Sequence, residues 1–210
     1  MKIVPREEFV ALLKSRCSAK LREHLPRYDL SIMLGRGECA VHEGDRSPAG
    51  NWQPTVDNLL VLGSITCGGL LHAAREGSEW GGSLWIFGDL RCRHFAGHSG
   101  TSVVVDGDLA VAELAVAAFE DATLIVTGDF AARYYYGLDI WVDLGGSASM
   151  EYGDGYALPL GYTDAEAQAI LPRNDFESSP VQLNLDAGEE GVELVAKLRR
   201  SEHFRPRNGP

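Results

Sequence analysis

The feature that most restricts what this chain can fold into is a phrase written four times between Leu59 and Ala132. Each copy sets apolar residues at alternate positions, then a Gly and a small polar residue, then two more apolar or small residues at alternate positions. The copies run from Leu59 to Cys67, Leu84 to Cys92, Val103 to Val111 and Leu124 to Ala132. Their glycines, Gly63, Gly88, Gly107 and Gly128, are 25, 19 and 21 residues apart. A phrase that returns at roughly twenty residues marks a stack in which each copy is one coil.

Within a copy, period two sends alternate side chains to one face of a strand. The predicted inward sets are Leu59, Val61, Ile65 and Cys67; Leu84, Ile86, Leu90 and Cys92; Val103, Val105, Leu109 and Val111; and Leu124, Val126, Phe130 and Ala132. Parallel strands about 4.8 Å apart would bring like positions into ladders. The glycine marks a bend where a Cβ is costly. The expected fold is therefore mainly β: a right-handed parallel β-solenoid, the hand following from parallel crossovers. Repeated βαβ units are the rival. Gly-rich first and second spacers oppose that rival, whereas the Ala-rich third, Ala112 to Thr123, leaves room for a helical turn.

The flanks read as helical caps at the N- and C-terminal ends. Residues 5–24 carry Pro5, Glu7 and Glu8 at the start and an apolar stripe of Phe9, Leu12, Leu13 and Leu21, the pattern of a helix. Tyr28, Leu30, Ile32 and Leu34 alternate as a first strand would, and residues 35–58 look like loop. We divide the chain into an N-terminal cap (1–58), a coil region (59–162) and a C-terminal strand, helix and tail (163–210). A fifth coil is expected at Ile140, Val142 and Leu144, with Gly145 and Gly146 as its corner. Thr163 to Glu166 forms a capping box for a short helix reaching Ile170. Val181, Leu183 and Leu185 suggest a last strand, Glu189 to His203 a closing helix, and 204–210 a frayed tail.

Formal net charge is −11, from 19 Lys and Arg against 30 Asp and Glu. Such a balance argues against nucleic acid or anionic membrane as partner and favours a basic protein. The N-terminus has charges where a signal peptide needs an apolar run, and the sequence contains no span of about 20 apolar residues, so a cytoplasmic protein is expected. Four irregularly spaced cysteines make reduced core thiols the expectation, with a Cys67–Cys92 disulfide as the rival.

Three groups of residues invite a chemical role. Cys92, His94 and His98 have metal-ligand character and would serve a metal-dependent enzyme, the third reading, but the segment follows a strand and runs into glycines, so no metal and no cofactor is expected. Asp89, Asp108 and Asp129 follow the corner glycines and should form an outward column. Backbone N–H acceptance is the favoured reading there, and Ca²⁺ binding the other. Tyr134, Tyr135, Tyr136, Trp141, Tyr152, Tyr156 and Tyr162 lie among acids, a composition that suits either packing or a protein interface. No nucleotide-binding, nucleophile-elbow or zincin motif is present, so no enzyme is expected.

The V-x-V-x-G-D-L phrase resembles the bactofilin type of bacterial β-helix, the polymer-forming cytoskeletal proteins. Uneven coils, bulky spacers and helical flanks depart from that pattern and oppose end-to-end polymerisation. The capped coil, the Tyr-rich stretch after the last phrase and the acidic balance are similar to solenoid proteins encoded beside bacterial polymorphic toxins. That second resemblance implies an immunity protein that neutralises a cognate basic toxin domain, such as a nuclease delivered by contact-dependent or type VI secretion. The expected contact residues are Asp106, Asp108, Glu113, Glu120, Asp121, Tyr135, Asp139, Trp141, Asp143, Glu151, Tyr152, Asp154 and Tyr156. A monomer or small homo-oligomer is expected. The alternative is a self-assembling structural protein of the bactofilin kind.

Overall fold

The computed structural model describes residues 1–75, 77, 81–97, 100–162, 168–185 and 191–207, with no side-chain description for 118–121, 138–141, 191 and 192. The elements in chain order are β1 (Lys2–Val4), α1 (Arg6–Arg16), α2 (Ala19–His24), α3 (Leu30–Met33), β2 (Cys39–Glu43), β3 (Asn58–Leu62) and β4 (Ile65–His72). They continue with β5 (Ser83–Ile86), β6 (Leu90–Gly97), β7 (Ser102–Val105), β8 (Leu109–Val126), β9 (Phe130–Leu144) and β10 (Ala148–Asp154). The last are β11 (Leu158–Pro159), β12 (Asn174–Asp175), β13 (Val181–Leu183), α4 (Gly191–Arg200) and β14 (Phe204–Pro206).

These strands form a parallel β-solenoid of about six turns. One ladder runs β2-β3-β5-β7 and on through the C-terminal half of β8 to that of β9. The other runs β4-β6, through the N-terminal halves of β8 and β9, to β10. The long strands β8 and β9 bend round the coil and so belong to both ladders. The third spacer is therefore extended chain within β8, with a register shift between Ala118 and Ala122 in place of a helical turn.

Register follows the repeat. Val61, Ile86, Val105 and Val126 stand in one column, continued by Leu144. Cys67, Cys92, Val111, Ala132 and Met150 stand in another. All are buried in one interior cluster, each large side chain contributing about 1.5–3 kcal/mol. Cys67 and Cys92 are stacked neighbours, as the shared register suggested, and both are free thiols.

The corner glycines have a steric cause. A Cβ on Gly107 would lie 2.6 Å from the Gly88 carbonyl oxygen, and one on Gly128 would lie 2.6 Å from that of Gly107. Coil backbones approach too closely there for any side chain. The same close approach places Gly63 over Gly44 and Gly146 over Gly128. The stack thus begins one coil before the first phrase, at β2, inside the segment read as loop. It gains the fifth copy that Ile140 to Gly146 implied.

Helical segments sit at both chain termini. Each lies along a flank of the coil. Leu60, Trp85, Val104 and Ile125 point outward from the first ladder and are buried under Phe9, Leu13, Leu21 and Leu25. The expected single helix over 5–24 is two helices. Cys17 leaves the helical path, and Ser18 Oγ caps α2 by accepting from Leu21 N–H at 3.1 Å. The predicted strand around Tyr28 to Leu34 is instead α3, because the Asp29 carboxylate accepts from Ser31 N–H at 2.8 Å and starts a helical turn.

On the second flank, outward-facing Leu70, Leu114, Val116 and Tyr134 lie beneath Phe176, Leu194, Val195 and Leu198. Here β13 pairs antiparallel with β14 in a separate two-stranded sheet, so part of the expected frayed tail is strand. The capping box at 163–166 lies outside the described residues. Ile170 pairs antiparallel with Ala157. Among the described residues, no helix is long and apolar enough to cross a membrane.

Candidate functional site

The corner aspartates explain themselves in hydrogen bonds. Asp45 Oδ1 accepts from Ser64 N–H at 2.7 Å, and Asp89 Oδ1 from Asp108 N–H at 3.0 Å. Asp108 Oδ1 accepts from Asp129 N–H at 2.8 Å, and Asp129 Oδ1 from Ser147 N–H at 2.7 Å. Each carboxylate therefore tethers the next coil through its backbone, the reading favoured from sequence. Beside this column lies a second outward one of Thr66, Arg91, Ala110, Ala131 and Ser149, which no flanking segment buries.

Several expected contact residues serve the fold instead. Tyr135 is fully buried inside the coil, its hydroxyl donating to the Tyr156 carbonyl at 3.1 Å. Asp143 is buried and accepts from the Tyr28 hydroxyl. Asp106 accepts from Ser18 N–H and Oγ–H at 2.5 and 2.6 Å and from Thr127 Oγ at 2.9 Å, which pins the α2 N-terminus to the coil. Tyr152 is half-buried and stacks on Tyr134 at 5.8 Å, so the outward tyrosines meet the chain's own C-terminal segment. Burial removes Tyr135 and Asp143 from any partner surface. The side chains of Glu120, Asp121, Asp139 and Trp141 lie outside the described residues.

Asp108, Glu151, Asp154 and Tyr156 do face solvent. The last three belong to the final coil. Tyr156 is 50% exposed and Leu171 65%, and they flank the Ala157–Ile170 bridge on opposite strands. Nearby, a groove of about 400 Å³ is lined by Ala148, Ser149, Met150, Glu151, Leu171 and Arg173. Leu171 escaped the sequence reading because a single apolar residue before a proline carries no pattern.

A second constellation lies on the C-terminal flank. A β-bulge between Cys92 and Phe95 breaks the alternation of β6. Cys92 consequently faces the interior, where burial raises its pKa and Cys67 adds to the effect, while His94 turns outward to the flank. The Cys-x-His spacing therefore does not form a site, and His98 is outside the described residues. Glu113 occupies the matching bulge of β8, between Val111 and Leu114. Its Oε1 accepts from Arg93 Nη2 at 2.9 Å, and its Oε2 lies 3.3 Å from His94 Nε2.

His203 arrives from the far end of the chain, its ring centroid 4.6 Å from that of His94. Ligand atoms of His94, Glu113 and His203 all lie within 4.8 Å of one another. Burial, then the neighbouring His203, pushes His94 down to about 4, and burial lowers His203 as well. Burial alone would raise Glu113, but the Arg93 hydrogen bond and neighbouring charges outweigh it and hold the carboxyl below its ordinary range. At neutral pH the cluster is two uncharged imidazoles facing one carboxylate. Glu113 was expected to meet a partner, and nothing local in the sequence links it to His203.

Compared with protein-family models, with curated proteins and with solved structures, the chain finds no match in any of the three.

Proposed function

We propose that this chain is a binding protein of the immunity kind, a coil that docks one basic protein domain, such as a cognate bacterial toxin, and covers its working surface. The observation carrying this reading is the pair Tyr156 and Leu171, two large exposed apolar side chains beside one β-bridge on the final coil. Exposed Glu151 and Asp154 accompany them in a chain of net charge −11. Desolvated apolar anchors ringed by charge are how protein interfaces gain affinity, and a negative field speeds encounter with a cationic partner.

The stack ends favour a discrete particle over a filament. Antiparallel β1 covers the edge of β2. At the other end β11 pairs with β9 and β12 with β10, and Pro159 and Pro172 stand in the covering chain.

The test is to mix the purified chain with the purified product of its neighbouring gene and follow binding by calorimetry. A 1:1 complex weakened at least about tenfold by Tyr156→Ala and Leu171→Ala supports the proposal. No complex, or one indifferent to both substitutions, overturns it. Filaments of the isolated chain under the electron microscope would favour the self-assembling alternative.

A further inference from the structure

Buried imidazoles in proteins have hydrogen-bond partners, because each unsatisfied ring nitrogen forfeits its interaction with water. His203 breaks that rule: it is 4% exposed, and among the described residues neither Nδ1 nor Nε2 has a hydrogen-bond partner. His94, also 4% exposed, turns Nε2 toward Glu113 and leaves Nδ1 without a partner among the described residues. The unpartnered His203 ring and the Nε2 side of His94 meet one carboxylate, a set of electron-pair donors of the kind that ligates a metal.

One separation equals that of two ligands on one ion, and all three ligand atoms lie within 4.8 Å of one another. Ligands about 2.0–2.1 Å from a tetrahedral metal lie roughly 3.3 Å apart. The His94 Nε2 to Glu113 Oε2 distance is 3.3 Å, at the long limit for a hydrogen bond and natural for two ligands of a shared metal. Arg93 holds the other oxygen of Glu113 and so fixes the direction of Oε2, the orienting part that outer residues play around metals.

The delivery of His203 is equally definite. At the C-terminus of α4, Glu202 N–H donates to Lys197 carbonyl at 2.8 Å and Ser201 N–H to Leu198 carbonyl at 3.1 Å, with Ser201 at φ 59°. This Schellman turn ends the helix and directs the following residue, His203, onto the coil. Asn184 N–H then holds the His203 carbonyl at 2.8 Å.

We propose that His94, Glu113 and His203 bind one divalent first-row transition ion, with Zn²⁺ the best match, and that the ion staples the C-terminal segment to the flank of the coil. Two imidazoles and one carboxylate suit Zn²⁺, Co²⁺ and Ni²⁺ and leave a coordination position for water. Hard cations such as Ca²⁺ prefer all-oxygen sites and are disfavoured. The site is independent of the proposed docking surface on the final coil.

The test uses the full chain, stripped with chelator and exchanged into metal-free buffer, then titrated with Zn²⁺ and separately with Co²⁺. One equivalent of Zn²⁺ should bind and raise the melting temperature, and Co²⁺ should produce a visible d–d spectrum. Glu113→Gln and His203→Gln should each weaken binding at least about tenfold, while His42→Gln should leave it unchanged. Glu113 is half-buried, so its variant stays informative even if the His203 variant fails to fold. No saturable binding below about 1 mM, or binding undiminished in Glu113→Gln, overturns the proposal.

Discussion

The Tyr28 hydroxyl donates to the Asp143 carboxylate across 115 positions of sequence. Asp143 follows Val41, Leu60, Trp85, Val104 and Ile125 in one outward column, with Leu158 of β11 paired after it. The N-terminal segment thus meets an apolar column with apolar side chains and its one acid with a phenol. Burial, then the hydrogen bond to Asp143, raises the Tyr28 pKa, so the phenol stays a donor throughout the ordinary pH range. Tyr28→Phe withdraws that donor from a buried carboxylate. We expect a loss of about 1–3 kcal/mol, read as a lower urea midpoint at unchanged slope. An unaltered midpoint would mean that the contact is energetically idle.

Corner glycines should differ sharply from surface ones. In Gly107→Ala the new methyl meets the carbonyl of Gly88 in the preceding coil, and the stack must open locally. A cost of about 1–3 kcal/mol or more follows. Gly50→Ala meets nothing within 4 Å among the described residues and should stay within about 0.5 kcal/mol of the parent. Equal midpoints for the two variants would contradict the steric account of the repeated glycine.

Asp129 ties the acid stability of the coil to one carboxylate. Ser147 N–H and then its hydroxyl hold the Asp129 carboxyl below its ordinary value of 3.8. A group depressed in the folded state stabilises fully above its unfolded pKa, and that stability disappears as pH falls through the folded value. Asp129→Asn keeps an acceptor but cannot titrate. Its melting temperature should therefore fall less steeply than the parent's as pH drops below 3.8. Parallel slopes in the two melting series would refute this.

Ser201 sits at φ 59°, a left-handed position where a Cβ is strained. Ser201→Gly should stabilise the chain by about 0.5–1 kcal/mol, since strain relief exceeds the extra freedom of Gly in the unfolded chain. A rise in the denaturation midpoint checks it, and a fall would show that the Ser side chain supports the turn.

Two signals of flank coverage stood in the sequence. The first-ladder strands read Asn58-Leu-Leu-Val-Leu62, Ser83-Leu-Trp-Ile86 and Ser102-Val-Val-Val105, apolar on both faces. Unbroken apolar runs mark strands buried on two sides, which already required a cover for the outer face. Likewise the outward tyrosines of Tyr134 to Tyr136 required a partner. That partner is Phe176, Phe204 and their neighbours in the same chain, which composition could not distinguish from another protein.

The repeat by itself determined the coil, its corners and its interior columns, because each copy contacts its own equivalent in the next and the period carries the register. Which outward faces stay wet, where Tyr28 and His203 land, and how Cys92 and His94 part company at a bulge were decided only in three dimensions. An outward side chain on a strand is written the same way whether water, a distant segment or another molecule will meet it. Contacts between segments that share no repeat leave no periodic trace.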